Sequence, residues 1–269
     1  MLKKRVIFTL LYADKEFMLS RNFRLQKVGN LKWLQKNYNF SQIAFSIDEL
    51  IILDVSREKN NQDEFCEHVR SLTEMCFIPI GAGGGVRDVE YARKLLHAGA
   101  DKIVINSLAS TKPSSINDIA SDFGQQSIVL SIDVKRSKND YEVWTENGSK
   151  RHHYSLKKYL DVISDFHIGE LYLNSIDNDG TGQGYDHQLL EHIPDGLTMP
   201  IILAGGAGKH EHLAEGLNNQ KVDAVATAHL FNFVGDGLEK ARHNLIQKGF
   251  NLATWDIKTA HLLHNTFTR

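Results

Sequence analysis

An aspartate that closes an otherwise apolar run is the residue in this chain best placed to do chemistry. Asp133 ends Ile128-Val129-Leu130-Ser131-Ile132-Asp133. A carboxylate there is costly to bury unless it faces a polar opening. At such an opening it can serve as general acid or base in ring closure or proton transfer. The plainer alternative is a carboxylate that ties loops together by hydrogen bonds. Two glycine-rich turns, around Gly81–Gly85 and Gly205-Gly206, each follow a short apolar run. Bare glycine lets backbone N–H groups approach a phosphate, and a following helix N-terminus adds positive potential. Alternatively the glycines only permit tight turns. The first turn lacks dinucleotide-binding spacing, because Val86 stands where a third glycine is needed.

Other candidates weaken on spacing. His210-Glu211-His212 resembles a metal site, but side chains two apart on a helix diverge, so a solvated helix face is preferred. Asp177-Asn178-Asp179-Gly180 breaks the calcium-loop spacing and reads as a structural or phosphate-proximal turn. No metal and no cofactor is expected.

These residues need a frame. Eight short apolar runs are separated by helical patterns: Val6–Leu11, Leu50–Val55, Phe77–Gly81, Ile103–Asn106, Ile128–Val134, Leu171–Asn174, Ile201–Ala204 and Ala224–Ala228. Continuous apolar character suits parallel strands buried on both faces. The helical patterns include Leu31–Tyr38, Glu64–Glu74, Val89–Ala98, His187–His192 and Gly237–Gln247. An internal repeat decides between an open sheet and a barrel. Pro79 and Pro200, and likewise Glu49 and Glu170, stand 121 positions apart (200 − 79 and 170 − 49). Two half-barrels of four βα units explain one offset in two places. The expected fold is α/β, a (β/α)8 TIM barrel with a two-fold half-barrel repeat. Tyr141–Tyr154 breaks the alternation and carries the turn pair Asn147-Gly148, so it reads as a small β-hairpin after strand five. Residues 1–250 are expected to form one domain, with 251–269, including Trp255, as a C-terminal extension.

In barrel enzymes the site lies at the C-terminal ends of the strands. At the opposite ends stand Arg5, Glu49, Lys102 and Glu170, each just before an apolar run. Two acids and two bases can close a ring of ion pairs, which either plugs the barrel or gates a passage through it. Burying such a ring costs desolvation, so it is weak evidence for stability.

Composition narrows the class. The 269 residues suit one α/β barrel, and a 42% hydrophobic share supplies its core. A formal net charge of −2 argues against nucleic acid as a partner. Two cysteines, Cys66 and Cys76, cannot build a disulfide framework and read as buried thiols. The start MLKKRVIFTLLY reads as a first strand, not a signal peptide. No apolar stretch of ~18 residues offers a membrane span. A cytoplasmic protein is expected, without membrane association.

Seven blocks carry a resemblance: MLKKRVI, ELIILDVS, IPIGAGGGVRD, AGADKIVINS, FGQQSIVLSIDVKR, GELYLNSIDNDGTGQGYD and PIILAGGAGK. In order, and over about residues 1–250, they resemble the cyclase subunit of imidazole glycerol phosphate synthase. The resemblance implies a heterodimer with a glutaminase docked on the barrel bottom, and ammonia passing through the barrel. It places the ammonia gate on Arg5, Glu49, Lys102 and Glu170, and a glutaminase-interface aspartate on Asp101. Phosphate contacts fall on Gly85, Asn106 and Ser107 in one half and on Asp179, Gly180 and Gly206 in the other. Of the family's two catalytic aspartates, the second matches Asp133 but the first falls on Leu11. A family lysine in the following loop is replaced by Leu19 or Ser20, and a serine after strand eight by His229. Leucine cannot transfer a proton.

A variant branch with leucine at this position resembles the chain more. It implies an ammonia-delivering subunit that works with a glutaminase and a sugar amidotransferase to build acetamidino groups on surface-polysaccharide or sialic-acid-like sugars. That is the leading expectation. One alternative is a working cyclase of histidine biosynthesis, turning a phosphorylated ribotide and ammonia into imidazole glycerol phosphate and AICAR. Another is a non-catalytic scaffold that activates a glutaminase.

Overall fold

A computed structural model describes residues 3–254 except 39, 58–60 and 139. Eight parallel strands close on themselves: β1 (Arg5–Ala13), β4 (Glu49–Asp54), β5 (Ile80–Gly83), β6 (Lys102–Ile105), β7 (Ile128–Ser137), β10 (Glu170–Ser175), β11 (Ile201–Ala204) and β12 (Ala224–Thr227). The circle closes where β12, the last strand, pairs with β1, and the two halves join where β10 pairs with β7 from Glu170↔Val129 to Ser175↔Val134. Helices α1 (Leu31–Asn37), α2 (Gln62–Met75), α3 (Val89–His97), α4 (Leu108–Thr111), α5 (Ser114–Phe123), α6 (Leu156–Ile163), α7 (His210–Asn218) and α8 (Gly237–Gln247) lie between or after the strands. This is the expected (β/α)8 barrel. Side-chain caps open several helices as their sequences suggest: Asn30, Asn61 and Asp88 accept the N–H of the third residue on.

Strand alternation divides the apolar residues into two shells. Ile7, Ile51, Val104, Val129, Tyr172 and Ile202 fill the barrel interior. Phe8, Leu50, Ile52, Ile103, Leu130, Leu171 and Leu203 face outward into the core packed under the helices. That double burial explains the continuous apolar runs. Small inward residues, Ala204, Ala224 and Ala226, make room for the large Tyr172 ring. Its hydroxyl meets Thr9 Oγ1 at 3.0 Å in the middle of the barrel.

Three sequence readings need correction. The stretch after the first strand, read as a loop, is a hairpin of β2 (Glu16–Arg21) and β3 (Arg24–Gly29). Its two-residue turn, Asn22-Phe23, has both φ angles positive (49° and 62°). Without a glycine that turn gave no local cue. The third barrel strand begins at Ile80, not Phe77, because Pro79 lacks an N–H and Phe77 lies 67% exposed before it. His187–His192 is a 3₁₀ turn rather than an α-helix. The hairpin after the fifth barrel strand forms as expected from β8 (Asp140–Thr145) and β9 (Lys150–Ser155). Residues 255–269, with Trp255 and most of the expected extension, lie outside the described residues.

Candidate functional site

The N-terminal ends of the strands bring Arg5, Glu49, Lys102 and Glu170 together, although they lie up to 165 positions apart in the chain. Arg5 contacts Glu49 at 3.0 Å and Glu170 at 2.7 Å, and Lys102 contacts both acids at 2.8 Å. The four ion pairs form a closed ring. The two acids are not equivalent. Glu170 receives both Arg5 nitrogens, at 3.2 and 2.7 Å, and the Lys102 ammonium. Burial raises the Glu170 pKa, but those cations outweigh it and hold the carboxyl below its ordinary range. Glu49 is 2% exposed, and burial pushes its pKa up despite Lys102 and Arg5. Both cations bond its Oε2, and Oε1 has no hydrogen-bond partner among the described residues. Asp101 lies exposed on the same face. Its Oδ2 accepts the Ile80 N–H at 2.8 Å. A cleft of about 530 Å³ opens there between Pro79, Asp101, Lys102, Phe123 and Glu170.

At the other end, Asp133 is 8% exposed. Asn106 Nδ2 donates to its Oδ2 at 2.9 Å, and Asn174 Nδ2 donates to its Oδ1 at 3.2 Å. No cation neutralises it among the described residues. Burial therefore dominates, and with the Asp179 charge it overcomes the two amides and pushes the carboxyl up to about 7. That poises the group to exchange a proton near neutral pH. Leu11 pairs with Leu53 on β4 and Met18 on β2, so an aliphatic side chain stands two residues before the C-terminal end of the first strand. Asn174 was not singled out in the sequence. It closes an apolar run as Asp133 does, and the same logic of a polar residue at the end of such a run identifies it.

The glycine-rich turns adopt matching conformations. Gly84 and Gly85 have φ of 108° and 67°, and Gly205 and Gly206 have 87° and 110°. Among the described residues the amides of Gly84, Gly85 and Gly206 make no backbone hydrogen bond outside the strands. Such amides are what an anion would meet. A Cβ on Gly206 would lie 2.0 Å from Gly184 O. Gly206→Ala is therefore expected to cost at least about 2 kcal/mol through strain and collision. It should show as a fall in thermal midpoint of roughly 4–8 °C.

Both hairpins reach over the mouth. The tip of the first is pinned to the loop after β10. Asn22 N donates to Asp179 O at 2.9 Å, Phe23 N to Asp179 Oδ2 at 3.0 Å, and Ser20 Oγ to the same Oδ2. Gly180 faces Ser20 O so closely that a Cβ would lie 1.8 Å from it. The second hairpin docks on the opposite half, where Glu146 N donates to Ser107 Oγ at 3.1 Å. Ser107 Oγ itself donates to Asn106 Oδ1 at 3.3 Å. Asp179 and Ser107 are thus engaged by hairpin backbone. Burial lowers the pKa of His229, which follows β12, and Asp179 partly offsets this. Its Nδ1 is buried with no partner among the described residues.

The remaining candidates stay apart. His212 Nδ1 accepts the Gly208 N–H, while His210 contacts Glu211. Among the described residues no group of three His, Cys, Asp or Glu could hold a metal, and no helix is long and apolar enough to cross a membrane. Cys66 and Cys76 are free and buried.

Comparison with known proteins adds relatives to this geometry. The profile of the family described as "Histidine biosynthesis protein" matches residues 34–235. The chain is 46% identical over 258 residues to the provisionally named imidazole glycerol phosphate synthase subunit hisF2 of Parasynechococcus marenigrum (strain WH8102), covering 96% of each. It is 34% identical to imidazole glycerol phosphate synthase subunit HisF of Pelodictyon phaeoclathratiforme, over 94% of this chain and 99% of that one. To the HisF subunit of Dictyoglomus turgidum it is 36% identical, over 93% and 98%.

Proposed function

Because the chain belongs to the histidine biosynthesis protein family, we propose that it is the synthase subunit of a glutamine-dependent complex of the imidazole glycerol phosphate synthase kind. A partner glutaminase docks on the strands' N-terminal face, around Asp101 and the adjoining cleft, as a heterodimer. Ammonia crosses the ring of Arg5, Glu49, Lys102 and Glu170 and meets a phosphorylated ribotide at Asp133. Its phosphates rest on the two glycine-rich turns: Gly85, Asn106 and Ser107 on one side, Asp179, Gly180 and Gly206 on the other. Asp133 moves the protons of ring closure. The carrying observation is coaxial: a four-charge ring closes one end of the barrel, and a cation-free carboxyl with a pKa of about 7 stands at the other. The names of the relatives support this reading over the sugar pathway.

Leu11 favours a second reading. With one carboxyl where ring closure uses an acid and a base, the barrel delivers ammonia and a sugar amidotransferase carries out the ATP-dependent chemistry. The product is then an acetamidino group on a surface-polysaccharide or sialic-acid-like sugar.

One assay separates the two. Purified protein is supplied with the ribotide and an ammonium salt. Turnover supports the first reading. No turnover, with amidine formed once glutaminase and sugar amidotransferase are added, supports the second. Leu11→Asp is expected to raise ammonia-dependent ring closure at least tenfold, since a missing acid or base costs ~10²–10⁴ in rate. An unchanged rate would show that the mouth no longer holds the ribotide.

A further inference from the structure

The Asp133 carboxyl is held from two sides, and the two holders differ. Asn106 Nδ2 divides itself between Asp133 Oδ2 at 2.9 Å and Ser131 O at 3.1 Å. Asn174 Nδ2 gives its one hydrogen bond among the described residues to Asp133 Oδ1, at 3.2 Å. Strand register sets the pair side by side, Asn174 on β10 directly opposite Asp133 on β7. Packing alone does not demand an amide there. Leu53 stands 121 positions earlier (174 − 53), at the offset of the half-barrel repeat, and pairs with Leu11 on β1. It packs on the apolar barrel interior. The same place in the fold therefore takes an aliphatic side chain beside Leu11 and an amide beside the carboxyl. Gly205 leaves room for that amide, since a Cβ there would lie 2.9 Å from Asn174 Oδ1.

We propose that Asn174 is a positioning residue for Asp133, a donor that fixes the orientation of its carboxyl and keeps it able to give up its proton. This rests on the reading of Asp133 as the group that exchanges protons in ring closure. A donor to a carboxylate oxygen stabilises the ionised form against burial. Burial raises the Asp133 pKa most, and Asn174 opposes it more than Asn106 does. The other titratable groups whose charges meet Asp133 are Asp179, Tyr159 on α6 and Tyr172 on β10. Asp179 disfavours the ionised form. Both tyrosines are raised above the ordinary phenol range by burial, so they stay neutral. Only the two amides are left to favour the carboxylate.

Asn174→Leu copies the residue that the other half carries, so the barrel is expected to fold, and Asn174→Ser returns a donor. The Asp133 carboxyl is followed by carbon-13 NMR in the full chain, its signal identified by its loss in Asp133→Asn. The parent should titrate near 7. The leucine variant should titrate at least about one pH unit higher, a tenfold tighter hold on the proton, because it loses a hydrogen bond to the charged form. The serine variant should move back toward the parent. With ribotide and an ammonium salt, the inflection of the pH–rate profile should shift by as much as the NMR midpoint. A leucine variant whose carboxyl titrates as the parent's does would overturn the proposal. So would a midpoint that moves while the rate inflection stays in place. A parent that turns over no ribotide would remove the reading of Asp133 as the proton carrier. The NMR midpoint tells that failure from this one, because it needs no substrate.

Discussion

Asp133→Asn should lower ammonia-dependent ring closure by about 10²–10⁴-fold while making the folded protein more stable above pH 7. The rate loss follows from removing the one carboxyl placed to exchange protons at the mouth. The stability gain follows from linkage. Burial raises the Asp133 pKa from 3.8 to about 7 in the folded protein, so the folded state holds this proton more tightly than the unfolded chain does. The favourable contribution is complete below pH ~4 and is lost as pH rises through about 7. Ionising the group at pH 8 therefore costs on the order of 4 kcal/mol. Asparagine carries no such cost, although one of the flanking amides, Asn106 or Asn174, must turn to avoid facing donor to donor. Thermal midpoints should separate by several degrees at pH 8, with the variant higher, and converge toward pH 4. The parent's rate profile should also inflect near pH 7. A variant that keeps ring closure would remove Asp133 from the chemistry. If only amidine formation is measurable and survives, the sugar reading is favoured.

Lys102→Ala is expected to have the largest effect at the other end. It strips Glu49 of one of the two cations that bond its Oε2. Breaking a buried pair by deleting one partner costs about 3–5 kcal/mol, because the remaining charge is left poorly compensated. Denaturant unfolding should show that loss. In the complex, the gap in the ring should let ammonia escape, so glutamine-driven product falls while ammonium-driven product holds. Wild-type coupling in this variant would instead support a scaffold that only activates the glutaminase. Glu170→Gln is a milder companion. Glu170 is 13% exposed and carries a lowered pKa from Arg5 and Lys102, outweighing its burial. Its contribution is present above the ordinary glutamate range and fades as pH falls through the lowered value.

The sequence by itself determined the barrel, its repeat and both ends of the candidate site. Strands buried on two faces leave unbroken apolar runs, so their first and last residues are visible without knowing any partner. Arg5, Glu49, Lys102 and Glu170 were legible as strand openings, Asp133 as the end of an apolar run, and Gly84-Gly85 and Gly205-Gly206 as turns that need positive φ. Leu11 was legible by its type alone. The first hairpin was not, because its Asn22-Phe23 turn lacks the glycine that marks such turns locally and its tip is held by a loop about 155 residues away. Only the tertiary structure decided that Asn174 flanks Asp133, that Ser107 and Asp179 are engaged by hairpin backbone, and that one Glu49 oxygen has no partner among the described residues. Each depends on which strands become neighbours and in what register. Long-range closure sets that geometry: a local pattern names the residues of a site, while barrel closure fixes which atoms of those residues meet.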